Sequence, residues 1–232
     1  MELTPDASVL WSIGAFRLNA TIVNTWIVMA VLVIGSWLVT RTLRPDKPPG
    51  RWGTMLETIV VMIESQIRAI TPHAVRPILY LAGTLFLFIA TANLLGVVPG
   101  FRAPTGSLST TLALTLAVLL AVPLFGISHG GVRRYLGSFV QPSFLLLPLN
   151  LLGEASKVVS LSIRLYGNVM SGAVIAAILL SIAPFFFPVI MDLFGLLVGL
   201  IQAYIFAVLA TVYISAAMSE PRTEKRPEPT HE

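Results

Sequence analysis

The chain has 232 residues, of which 56% are hydrophobic and only 11% charged, and its mean hydropathy is +0.85. Soluble domains carry about 25% charged residues, so this composition excludes a soluble globular protein, and the helix-length apolar runs exclude a membrane barrel of alternating strands. The net charge of +4 sits in loop lysines and arginines and does not mark a nucleic-acid surface, while the absence of cysteine excludes disulfides, thiolate metal sites and a thiol nucleophile.

Residues 1–20 are expected to form an extracytoplasmic segment, because Glu2 and Asp6 stand where a secretory signal would be basic. Thr21–Leu43 reads as the first span, with Trp26 and Trp37 as interface anchors, and it stops at a basic, proline-containing loop from Arg44 to Pro48. Trp52–Ala69 sets Met55, Ile59, Met62, Ile63 and Ile67 against Glu57, Glu64, Gln66 and Arg68. It is therefore amphipathic, lying on the membrane surface or packing on neighbouring helices. Val75–Val98 is the second span, Phe101–Gly106 a turn, and Ser107–Ser128 the third span, which Pro123 should kink or end. His129–Arg134 reads as a second basic loop.

Phe144–Ala183 and Val189–Ala217 are two long helices separated by Pro184–Pro188. A helix of forty residues is about 60 Å long, twice the roughly 30 Å of a hydrocarbon core, so it must be broken, strongly tilted, or both; Pro148 and Gly153 offer a bend near its start. The expected fold is all-α and polytopic, with about five spans, an amphipathic helix, and a last helix pair that is long and strongly tilted. Residues 21–217 are expected to form one transmembrane domain, with 144–183 and 189–217 as its ion-path helices, and 218–232 a polar, disordered cytoplasmic tail. With the N-terminus outside and the C-terminus inside, eleven lysines and arginines fall on the cytoplasmic side against two (Arg17 and Arg102) outside.

The chemistry concentrates in Leu149–Ala173, which carries Glu154, Lys157 and Arg164 inside an apolar run. A charge at the bilayer centre costs roughly 3 kcal/mol or more, so such side chains face a partner or a water-filled cavity. At about 100° per residue, Asn150, Lys157, Ser160, Arg164, Asn168 and Ser171 share one stripe. Glu154 and Lys157 can neutralise each other, and the serines can serve as small packing residues. Arg164 has no acid within one turn, so its partner comes from another helix, another chain or water. In the last helix Asp192 and Gln202 are the notable polar residues, and Gly195, Gly199 and Gln202 share a face. A self-contained transporter would show internal repeats, which are absent from the sequence, and an intramembrane hydrolase would need a nucleophile–base pair. A pure assembly scaffold leaves the arginine unexplained. His73, His129 and His231 lie far apart, so no metal centre and no cofactor are expected.

Ser162-Ile163-Arg164-Leu165-Tyr166-Gly167-Asn168 resembles the S-x-R-L-x-G-N pattern of subunit a of F-type ATP synthases. Glu154, Ser160 and Gln202-Ala203-Tyr204-Ile205-Phe206 are similar to that family too, as are Asn93-Leu94-Leu95-Gly96 and Pro104-Thr105. The resemblance implies a stator subunit without a catalytic site of its own, pressed against a ring of c subunits and held by b-type peripheral stalk subunits in a bacterial inner membrane. It implies two offset half-channels carrying protons, with sodium as the alternative ion, and Arg164 as the fixed cation between them. Glu154 would then line the cytoplasm-facing path and Asp192 the outer one, Asn168 and Gln202 would orient the guanidinium or a water, and Lys157 and Ser160 would share the ion-translocating face. The sequence departs from the family at Ala173 and Gly195, where many members carry ionisable residues, and at Ser107, where an acid is common; Asp192 is the expected substitute.

Overall fold

A lipid environment offers the backbone no hydrogen bonds, so apolar runs of this length close their polar groups within helices. The computed structural model describes residues 9–13, 16–41, 50–72, 75–98, 100–140, 145, 147–182 and 187–218. Its helices are α1 (Ala20–Arg41), α2 (Arg51–Ile70), α3 (Val75–Leu95), α4 (Leu108–Gly130), α5 (Val132–Val140), α6 (Leu147–Ile182) and α7 (Phe187–Met218). Five of them, α1, α3, α4, α6 and α7, are long and apolar enough to cross a membrane. The all-α membrane domain is thus as expected. The basic loop at 42–49, the linker residues 183–186 and the tail from 219 onward lie outside the described residues.

Four findings differ from the sequence reading. Ahead of α1, strands β1 (Val9–Ile13) and β2 (Phe16–Asn19) pair antiparallel, with an irregularity between Val9 and Trp11. Pro123 does not end α4, which continues to Gly130; proline removes one backbone donor, and packing on both sides of it holds the helix together. The stretch after Gly131 is the nine-residue α5 and not a loop. Gly131 makes the turn at φ +77°, where a side chain would be strained. Finally, α6 runs unbroken for 36 residues past Gly153, with Pro148 tolerated in its first turn. A continuous helix of about 54 Å fits a roughly 30 Å core only by strong tilt.

The bundle is α3, α4, α6 and α7, with α2 laid over α3 and α7, and α1 leaning on α3. Since lipid is as apolar as leucine, close approach and dispersion hold such helices together. The contact residues are accordingly small: Ala82, Ala92, Ala121, Gly126, Gly199, Ala203, Ala207 and Ala210 are all buried. Around them Ile63, Ile67, Ile78, Val122 and Ile214 form one cluster, and Leu85, Ile89, Val118, Leu161, Leu165 and Phe206 another. Of the two placements open to the amphipathic α2, packing on neighbours is the one observed, reinforced by Tyr204 donating to Gln66 Oε1 at 3.0 Å.

Candidate functional site

α6 divides by face. Leu161, Ser162 and Leu165 are buried against the bundle, whereas Ser160, Ile163, Arg164 and Ser171 are exposed. Arg164 makes no hydrogen bond or ion pair among the described residues. Of the expected stripe, Ser160, Arg164 and Ser171 share the exposed face, while Asn150, Lys157 and Asn168 are half-buried.

Toward the C-terminal side of Arg164, α6 borders a cavity of about 310 Å3, lined by Asn93, Arg102, Asn168, Ala173, Asp192 and Gly195 among others. At about 30 Å3 per water this holds on the order of ten waters. Asn168 and Asp192, far apart in sequence, are brought together here. Neither side chain has a partner among the described residues. Ala173 and Gly195, the two positions lacking the expected ionisable groups, line this same cavity, and Asp192 is its one carboxylate among the described residues.

Toward the N-terminal side lies a narrow cleft of about 10 Å3, lined by Thr115, Val118, Glu154, Lys157, Leu161 and Tyr213. That volume admits about one water. Lys157 Nζ sits 2.5 Å from Glu154 Oε1 and 5.0 Å from the Tyr213 ring centroid. The lysine is thus half-covered and neutralised, tying α6 to α7 through a cation–π contact. Its charge is engaged locally, unlike that of Arg164.

The antiparallel pairing of α6 with α7 joins residues near 172 to those near 194 in the cavity, and Lys157 to Tyr213 in the cleft. By the same register Gln202 falls within about one helical turn of the level of Arg164. Gln202 is buried, and its Nε2 has no hydrogen-bond partner among the described residues. Gly199 and Gly195 behave differently from each other. Gly199 receives Asn93 so closely that a Cβ would lie 2.9 Å from its side chain, whereas Gly195 has open space around it and widens the cavity.

Sequence reasoning missed the buried polar knot beside the cavity. Asn93 Nδ2 donates to the Gly199 carbonyl at 2.9 Å, and the Thr105 hydroxyl donates to Asn93 Oδ1 at 3.1 Å. Both residues lay in motifs that stood out in the sequence, which was the available signal. Asn24 Nδ2 donates to the Arg102 carbonyl at 2.8 Å, tying the start of α1 to the same end of the molecule.

Residues 22–215 match the family model described as ATP synthase A chain. The chain is 54% identical over 94% of its length to ATP synthase subunit a 2 of Acaryochloris marina, covering 93% of that protein. It is 48% identical to ATP synthase subunit a of Albidiferax ferrireducens over the whole of both chains, and 48% identical over 95% of its length to that of Nitrosospira multiformis, 88% of which is covered. A match of this extent, on a bundle of five potential spans, fixes the chain as a multi-pass component of the ATP synthase membrane sector: it belongs to the ATP synthase subunit a family.

Proposed function

We propose that this chain is the ion-translocating stator of an F-type ATP synthase, offering two offset half-channels to a rotating c-ring, with Arg164 as the fixed cation between them. It is a membrane component of the complex and not a catalytic subunit. The observation that carries the reading is the position of Arg164. It stands unpartnered among the described residues on the exposed face of α6, with the Asn168–Asp192 cavity on one side and the Glu154–Lys157 cleft on the other.

The chemistry follows from charge and geometry. A guanidinium keeps its proton in any protein environment, whereas a buried lysine can lose it. Each c subunit would bring a membrane carboxylate past this face. An opposite charge within about 4–6 Å lowers a carboxyl pKa by roughly 1–3 units, at about 1.36 kcal/mol per unit. A membrane potential of 100 mV supplies about 2.3 kcal/mol per charge. The two magnitudes match, so Arg164 strips the coupling ion from a rotor site at a cost the field can meet. A fixed cation between the recesses also opposes ion leakage from one to the other.

Asn168 and Asp192 line the outer half-channel, and Gln202, within about one helical turn of the level of Arg164, orients the guanidinium or a water. Glu154 and Ser160 belong to the cytoplasmic path, where Lys157 shapes the cleft through Glu154 and Tyr213. The reading sets the chain in a bacterial inner membrane with its N-terminus outside and its C-terminus in the cytoplasm, an orientation that the lysine and arginine asymmetry supports. The exposed face of α6 meets the c-ring, b-type stalk subunits hold the stator still, and lipid covers the remainder. The coupling ion is the proton, with sodium as the alternative reading, because the cavity lacks the ionisable groups at Ala173 and Gly195.

The test is ATP-driven ion uptake in inverted vesicles carrying the assembled complex, with and without sodium. Arg164→Ala should abolish uptake at normal assembly, and sodium dependence would name the ion. Unchanged uptake in Arg164→Ala would overturn the stator reading.

A further inference from the structure

We propose that Ser162 is a positioning residue for Arg164: its hydrogen bond to Thr115 on α4 fixes the rotation of α6 that turns the guanidinium away from the bundle. The inference rests on the reading of Arg164 as the stator cation.

Something must set that rotation, and the apolar contacts are poorly suited to it. Leu161 and Leu165 are buried against α3, α4 and α7, but turning a leucine from a helix interface toward lipid sacrifices packing and no hydrophobic burial. Such contacts are also non-directional. A hydroxyl is directional, and it is costly to leave unsatisfied at this depth.

Helical serine and threonine hydroxyls in this chain characteristically bond their own backbone. Thr25 donates to Thr21, Thr40 to Ser36, Ser181 to Ile178 and Thr211 to Ala207 in this way. Ser162 does not. It is 1% exposed and donates to Thr115 Oγ1 at 2.9 Å across the α4–α6 interface. Thr115, 2% exposed, spends its own proton on the Thr111 carbonyl at 2.8 Å, so its lone pair is free to accept. The direction of each bond is thereby fixed, and the acceptor is anchored to a helix backbone.

Ser162 precedes Arg164 by two positions, or about 200° around the helix. A bond that holds Ser162 toward α4 therefore holds Arg164 on the opposite, exposed side. With side chains extending about 5–6 Å from the axis, a rotation of about 20° would carry the guanidinium roughly 2 Å sideways. Misplacement by about 1 Å can cost on the order of a hundredfold in a positioned reaction.

The test compares Arg164→Ala, Ser162→Ala, Thr115→Val, the Ser162→Ala/Thr115→Val double variant and Thr115→Ser in the assembled complex, reading ATP-driven ion uptake per subunit present. Ser162→Ala and Thr115→Val should each lower uptake about tenfold, a smaller loss than the limit for full misplacement. The double variant should fall no further than Thr115→Val, because each variant already breaks the same Ser162–Thr115 bond. Thr115→Ser keeps the hydroxyl and should pump within about twofold of wild type. Packing damage alone would instead make the two single losses multiply, or make Thr115→Ser fall as far as Thr115→Val; either result overturns the proposal. So does normal uptake in Ser162→Ala while Arg164→Ala is inactive, which leaves the stator reading intact. Normal uptake in Arg164→Ala overturns both. Should Ser162→Ala fail to assemble, the near-isosteric Thr115→Val paired with Thr115→Ser decides the question.

Discussion

At the scale of single residues, the separation between Lys157 and Arg164 is the most informative contrast. Both are cations on one stripe of α6, yet Lys157 is met by Glu154 and the Tyr213 ring, while Arg164 meets nothing among the described residues. A guanidinium can stand alone because it does not titrate; an ammonium placed there and dehydrated by a passing rotor would shed its proton. Arg164→Lys should therefore assemble normally but lose most of its pumping. Its residual uptake should also fall as pH rises from about 6.5 to 9, since dehydration lowers a lysine's pKa and higher pH empties its charged form. Wild type should lack that added alkaline loss, and a pH series of ATP-driven uptake in both proteins would reveal it. Arg164 was legible in sequence because a lone charge in an apolar run has few explanations. Ser162 was not, because a serine in a membrane helix reads as a small packing residue until its partner, 47 positions away, is seen.

Between elements, the closest approach is the α3–α7 crossing at Gly199. A Cβ there would lie 2.9 Å from both Cγ and Nδ2 of Asn93, whose amide holds the Gly199 carbonyl. Gly199→Ala should destabilise the complex by about 1–3 kcal/mol, as overpacking does, and lower its yield from membranes. Asn93→Ala in the same chain should recover part of that yield by removing the clash; no recovery would show that the helices, not the side chain, collide. α5 docks differently, by its Tyr135 ring filling the notch at Gly126, where a Cβ would come within 2.6 Å of Cδ2. Burial pushes the Tyr135 phenol above its usual 10.0, and the Glu154 carboxylate adds to the shift. A raised folded pKa gives stability that is complete below about pH 10 and is lost as pH climbs through the folded value. The unfolding temperature of the solubilised complex should therefore drop more steeply above that pH in wild type than in Tyr135→Phe. Equal slopes would rule out Tyr135 as the titrating group. α5 itself escaped sequence reading because its nine residues, with Arg133 and Arg134 near the start, are fewer than the roughly eleven over which helical periodicity is read. The hairpin before α1 escaped for a similar reason, with strands of five and four residues.

At the scale of the whole molecule, the decisive quantity is the mismatch between α6 and the bilayer, which was readable from length alone. What length could not give was how the tilted helix shares its flanks. Its later part borders the cavity with the start of α7 and the turn after α3, and its earlier part borders the cleft with α4 and the end of α7. The two recesses are thus displaced along α6, one toward each end of the helix from Arg164. The cavity lies at the end tied to the start of α1 through Asn24 and Arg102, which is the outer end in the proposed orientation. Because the native chain has no cysteine, single thiols can map this arrangement without background. Ala173→Cys and Gly195→Cys, both lining the cavity, should react with a membrane-impermeant thiol reagent added from the periplasmic face. Val158→Cys, in the cleft, should react from the cytoplasmic face and more slowly, since the cleft admits about one water and the cavity about ten. If all three thiols react from one side, a single pore replaces the offset pair. Arg164 would then be a barrier within one channel and not a divider between two. Opposite sidedness, with intact pumping before labelling and blocked pumping after it, is the outcome expected of the proposed stator, in which the rotor carries the ion between the recesses.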